Sequence, residues 1–256
     1  MAEYGRILEF MRRVDERASE RVIPSRFGPV IVHERLSRVH DLNFLRADRS
    51  AGASAQELGE EAERIQGSLG LRHRRVNVMD PAEVERLEPR FGELGWQATG
   101  YVAMACTRPP LHEVDRSAVR EHNAETLRPV WEEGIRSAPF GADDEVVEQL
   151  LAAKEVVAAA VPTRYLAAEV DGELAAYCEL YSWEGIGQVE AVMTREPYRN
   201  RGLASALVLE AVERSRADGN DLTFLVALAN DWPQQLYYRL GFDVVGRYCE
   251  FLVTPA

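Results

Sequence analysis

Two short segments in the last third of the chain carry residue types that could do chemistry together. The first, Val189–Arg216, reads VEAVMTREPYRNRGLASALVLEAVERSR. An apolar run leads into a charged turn, then Arg199-x-x-Gly202-x-Ala204, then a helical pattern. A helix start exposes unpaired main-chain N–H groups and a partial positive charge, which suits an anion. Gly202 lets the backbone approach a phosphate closely, and Ala204 is small enough not to block it. Arg199 and Arg201 add positive charge to an otherwise acidic chain. A diphosphate is the natural guest. The same pattern also describes an ordinary helix start with surface arginines, and this segment alone does not separate the two.

The second segment runs Asn230-Asp-Trp-Pro-Gln-Gln-Leu-Tyr237-Tyr-Arg-Leu-Gly241-Phe242. With it on the page, YRNRGLASAL resembles the acyl-CoA pyrophosphate loop of the GNAT acetyltransferases, whose pattern is Q/R-x-x-G-x-G/A. LYYRLGF resembles that superfamily's LYxKLGF segment, with its preceding Asn. The order and separation of the two agree, and the joint match is more specific than either part. The resemblance covers roughly residues 112–256.

The resemblance implies acetyl-CoA as co-substrate, no metal, and N-acetyl transfer to a primary amine by direct attack. It implies that the backbone amides of Asn200, Arg201, Gly202, Leu203, Ala204 and Ser205 hold the pyrophosphate, with Arg199 at the start of the loop. Val192, Met193 and Thr194 should splay from the neighbouring strand, pair with the pantetheine arm and offer an oxyanion donor. Asn230 should bond the cofactor arm, and Tyr237 should protonate the leaving thiolate. An unperturbed tyrosine has a pKa of about 10, so it is a protonated donor at neutral pH. Tyr238 is the obvious confusion; Tyr237 is preferred because it directly follows Leu236 in the motif. Glu190 and Glu179 are both candidate general bases, and both also read as ordinary strand carboxylates. Trp183 and Trp232 either line an acceptor pocket or pack. A non-catalytic acyl-CoA sensor is the alternative from another class.

These residues need elements to position them. The hydrophobic pattern predicts a helix from Ile7 to about Val22, then short strands at Pro29–His33 and Leu42–Leu45. A helix over Ala55–Leu69, a strand Arg75–Met79, a helix capped by Asp80-Pro81 and a strand Thr99–Cys106 complete the first half. Thr107–Pro110 is the linker candidate, dividing residues 1–108 from 109–256. Beyond it come helices over Arg120–Ile135 and Asp144–Ala160, and a hairpin turning at Asp171-Gly172. Strands Gly187–Thr194, Leu222–Leu228 and Val244–Val253 follow, with helices Leu203–Arg216 and Trp232–Leu240 between them.

The halves echo each other: VNVMDPAEVERLEPRFGELGW in the first, FLVALANDWPQQLYYRLGF in the second. The fold expected is α/β, a mixed α+β sheet in two tandem GNAT-like domains. Each would hold a mostly antiparallel sheet flanked by helices. The first domain is read as a degenerate copy. Its counterpart of the cradle, Arg49-x-x-Gly52-x-Ser54, departs at the last position, and its tyrosine is missing.

Composition bounds the partners. The chain has 256 residues and a formal net charge of −12, which disfavours nucleic acid. No apolar run is long enough for a membrane span, and the N-terminus lacks a signal-peptide pattern, so a cytoplasmic location follows by default. The three cysteines and five histidines show no metal-ligand spacing. The acceptor expected is a small-molecule or peptide amine, with a homodimer left open.

Overall fold

The computed structural model describes residues 2–255. The N-terminal half runs α1 (Ala2–Ala18), β1 (Arg21–Pro24), β2 (Pro29–Val32), β3 (Phe44–Arg46), α2 (Ala55–Ala62), β4 (Arg74–Val78), α3 (Pro81–Glu93) and β5 (Gln97–Cys106). The C-terminal half runs β6 (Val119–His122), α4 (Ala124–Arg136), α5 (Asp144–Ala160), β7 (Thr163–Val170), β8 (Glu173–Trp183) and β9 (Ile186–Thr194). It ends with α6 (Leu203–Ala217), β10 (Leu222–Leu228), α7 (Pro233–Arg239) and β11 (Phe242–Val253). The mixed α/β architecture, a large and mostly antiparallel sheet flanked by helices, is as expected.

Local chemistry explains most boundaries. Asp80 caps α3 through the Ala82 N–H at 2.9 Å, with Pro81 in the first turn. Asp171 and Gly172 both adopt positive φ, 54° and 82°, as a two-residue turn between twisted strands requires. Two expectations are corrected. The first helix stops at Ala18, because the β-branched pair Val22-Ile23 belongs to a strand paired with Val30-Ile31. The helix expected from Arg120 starts at Ala124: Asn123 caps it through Thr126 N–H, and Val119–His122 pair with Tyr165–Ala168.

The two halves repeat one unit. β3–α2–β4–α3–β5 has the order of β9–α6–β10–α7–β11, and the first two strands of each unit are parallel. Their last strands are exchanged. The 11 strands form one sheet in the order β1-β2-β3-β4-β11-β5-β10-β9-β8-β7-β6. Thus β11 lies against β4, and β5 against β10. The cores follow the exchange. Phe251 of β11 stacks on Phe91 at 4.1 Å among the buried residues of the N-terminal half, while Val102 and Met104 of β5 are buried with Leu207 and Leu225.

Candidate active site

The turn before α6 is built as an anion cradle. Asn200 and Gly202 are left-handed, with φ of 62° and 78°, so successive N–H groups turn to one side. Gly202 stands at the N-cap and offers no side chain to the helix start. The first backbone bond of the helix is Ala206 N–H to Gly202 O, at 3.0 Å. Among the described residues, the N–H groups of Asn200, Arg201, Gly202, Leu203, Ala204 and Ser205 meet no protein acceptor. A Cβ on Gly202 would touch nothing within 4 Å, so the space in front of the turn is open. Arg199 and Arg201 are exposed and make only long contacts, to the carbonyls of Thr194 at 3.4 Å and Pro197 at 3.3 Å. Unpaired donors, open space and two loosely held guanidinium groups fit a diphosphate.

The neighbouring strands β9 and β10 part toward the end of β9. β9 and β10 pair in parallel from Ile186↔Leu222 to Val189↔Leu225 and no further. Ala191, with φ of 51°, turns β9 away, and its register against β8 shifts between Tyr177 and Glu179. The edge Val192-Met193-Thr194 therefore faces β10 without pairing to it, and Met193 is 42% exposed. Asn230 lies exposed just past the end of β10.

Glu190 sits at the fork itself, half-buried, accepting from Gln188 Nε2 at 2.7 Å and Ala191 N–H at 3.2 Å. Burial pushes its carboxyl above the usual range, and negative Glu179 adds to the rise against the pull of the Ala191 N–H. Glu179, across the strand pair, is buried and already engaged: Lys154 Nζ and the Tyr181 hydroxyl both donate to it, the latter at 2.7 Å. Tyr237 of α7 turns inward against the core, 6.3 Å from the Phe242 ring. Burial, then the charge of Glu190, raise its phenol to about 12. Tyr238 points outward, 54% exposed beneath the Arg108 guanidinium. Trp183 packs with the Arg17 guanidinium 4.2 Å over its ring, and Trp232 is 65% exposed.

Behind Glu190 and Ala191 opens a cavity of about 500 Å³. Its polar lining comes from both halves and includes Asp15, Asp41, Arg75, Lys154, Tyr248 and Glu250. Sequence reasoning missed all of these, because they lie on segments far apart in the chain that meet only in the fold, Arg75 and Glu250 through the strand exchange. One signal was readable: Arg75 and Asn77 alternate along a strand that is buried throughout, and buried charges need partners.

The N-terminal counterpart of the cradle is closed by its own side chains. The Ser54 hydroxyl accepts from Glu57 N–H, while the Glu57 carboxylate accepts from Ser54 N–H. A carboxylate thus occupies the position an anion would take. Among the described residues no cluster of three or more His, Cys, Asp or Glu could hold a metal, and no helix is long and apolar enough to cross a membrane.

Residues 120–242 match the family model described as acetyltransferase (GNAT) family. No curated protein matches. A functionally unknown conserved protein from Staphylococcus epidermidis is similar in structure at 11% identity and a TM-score of 0.66, covering 92% of this chain and 94% of its own. A GCN5-related N-acetyltransferase from Kribbella flavida is similar at 15% identity and 0.59, covering 99% and 95%. A tandem GNAT protein from the clavulanic acid biosynthesis pathway is similar at 14% and 0.54, covering 78% and 70%. At these identities the likenesses speak for the fold.

Proposed function

We propose, on the premise that residues 120–242 belong to the acetyltransferase (GNAT) family, that this chain moves the acetyl group of acetyl-CoA directly onto a primary amine. The observation that carries this reading is an adjacency. A strand fork at Glu190 is followed in the chain by a row of unpaired N–H groups, and Val192 of the fork and the half-buried Tyr237 pack against the same core. Acetyl-CoA supplies an acetyl group activated as a thioester. The N–H groups from Asn200 to Ser205, with Arg199 and Arg201, bind its diphosphate, and the free edge Val192–Thr194 holds the arm in the fork with Asn230. One N–H of that edge donates to the carbonyl oxygen as negative charge develops there.

Glu190 accepts the amine proton as the new N–C bond forms, directly or through water. Tyr237 gives its proton to sulfur as the C–S bond breaks. The raised phenol stays protonated throughout the neutral range, so it arrives as a donor. Glu190 is favoured over Glu179 as the base because Lys154 and Tyr181 already hold the Glu179 carboxylate, which leaves it to position Tyr181. The first half, residues 1–108, is read as the copy that gave up its cofactor and now walls the acceptor cavity.

The test is CoA release with a library of amines, comparing wild type with Tyr237→Phe. Turnover should fall roughly 10²- to 10⁴-fold in the variant, with acetyl-CoA affinity kept. Tight acetyl-CoA binding without turnover on any amine would instead make the protein a sensor. Folded protein giving no calorimetric signal with CoA or acetyl-CoA would remove the assignment altogether.

A further inference from the structure

The cavity behind the fork has a composition that restricts the acceptor. Part of its lining is aliphatic, with Met11, Val14, Leu42, Leu150, Val157 and Val226. Charged groups complete it in two sets. One pole is Glu190, beside Ala191 at the fork. The other is made of ion-paired residues of the N-terminal half and β11, Asp15, Asp41, Arg46, Arg75 and Glu250. Tyr248 also lines the cavity, its phenol raised by burial and then by the charge of Glu250.

The cations of the cavity are already committed. Arg75 is held by Asp41, by Glu250 and by Asn77 Oδ1 at 3.1 Å. Arg46 donates to Glu16 at 2.6 Å and to Asp48 at 3.1 Å. Lys154 is held by Glu179. A carboxylate on an incoming ligand would have to displace an existing carboxylate from one of them.

Two carboxyls have no cation of their own. Glu190 has only amide donors. Asp15 has one approach, 3.7 Å from Arg46 Nη1, and that guanidinium is already bonded to two other carboxylates. Asp15 keeps 28% of its side chain exposed. Asp15 lines the cavity, and burial raises its carboxyl to about 7 against the pull of Arg46 and Arg75. A desolvated carboxylate with no cation, or with only a distant and shared one, favours an added cation.

We propose that the acceptor is an aliphatic diamine, placed with the amine to be acetylated at Glu190 and its second, charged amine at Asp15. The methylene chain lies along the aliphatic lining. The ammonium at Asp15 keeps its protons and is held; the amine at Glu190 gives one up and is acylated. A monoamine leaves Asp15 with only its long, shared approach to Arg46, and an amino acid brings a carboxylate to an acidic pole. This inference rests on the acetyltransferase reading and narrows its acceptor.

The experiment measures CoA release with α,ω-diaminoalkanes of increasing length, the matching monoamines and the matching ω-amino acids. Calorimetry of each compound on CoA-loaded protein runs alongside. The expected result is a kcat/KM maximum at one diamine length, on the order of 10- to 100-fold above the matching monoamine. Asp15→Asn should remove that preference by raising the diamine KM far more than it lowers kcat. Retained acetyl-CoA affinity shows that the variant is folded. Monoamines or ω-amino acids used as well as diamines would overturn the inference and leave the enzyme reading standing. Turnover of no amine, with acetyl-CoA still bound, would overturn the enzyme reading; the calorimetry then decides the diamine site, which fails if no diamine gives heat.

Discussion

Asp15 and His73 pull stability in opposite directions with pH. A carboxyl raised to about 7 when folded binds its proton more tightly than in the unfolded chain. It therefore adds stability as pH falls through 7 toward the ordinary carboxylate range, and that contribution is missing above it. His73 is lowered to about 4, chiefly by burial, with its Nε2 bonded to Asn43 O at 2.8 Å and the His40 ring 4.0 Å away. It stays neutral when folded, so stability is lost as pH falls from about 6.5 to 4. In wild type the two slopes offset. Asp15→Asn should leave the His73 slope alone. We expect the variant to be more stable than wild type near pH 8, by roughly 1–2 kcal/mol, with the advantage shrinking toward pH 5. Urea melts across that range check this; equal stability at pH 8 contradicts it. Glu190 yields a kinetic counterpart. A base must be ionised to accept a proton, so kcat/KM should rise with pH through the raised pKa of Glu190. Glu190→Gln should lose that acid limb along with most of the rate. An unchanged profile would move the base elsewhere.

The cradle belongs to the scale of elements, where the two copies can be compared. Gly202 sits at a left-handed helix entrance with open space before it, so a side chain there fills the cradle without striking protein. Left-handed strain adds about 1–2 kcal/mol. Gly202→Trp should abolish detectable acetyl-CoA binding in calorimetry while the protein stays folded. Gly52 has the same geometry, φ of 75° with nothing near, but its helix is closed by Ser54 and Glu57. Gly52→Trp should leave acetyl-CoA affinity within about twofold. A comparable loss in both variants would mean that the first copy also binds. This contrast was half visible in the sequence. The strand–turn–helix framework, the cap at Asp80 and the Asp171-Gly172 hairpin follow from local residue chemistry, and they lie where expected. The capping box of Ser54 and Glu57 is legible in the sequence as Ser-x-x-Glu, and it overrides what the Arg-x-x-Gly spacing before it suggests. The strand Val119–His122 was not readable, because its alternation is short and its partner, Tyr165–Ala168, lies more than forty residues away in the chain.

At the scale of the whole molecule, the exchange of β5 and β11 decides how stability is shared. Phe251, near the end of the chain, is fully buried against Phe91 in the N-terminal core. Phe251→Ala should cost about 3–5 kcal/mol. It should loosen β4 (Arg74–Val78) as much as β11, seen as matched losses of amide-exchange protection with the melt remaining one transition. Protection lost from β11 alone would show that the halves fold independently. The same exchange made the cavity behind Glu190 illegible in advance: Asp15, Arg75 and Glu250 lie on α1, β4 and β11, and nothing in their spacing announces that they meet. It also has a historical consequence. A half without a task of its own would ordinarily be free to erode and disappear. Here deleting the first half would strip β10 of one neighbour and β11 of both, so neither half can be shed without undoing the other.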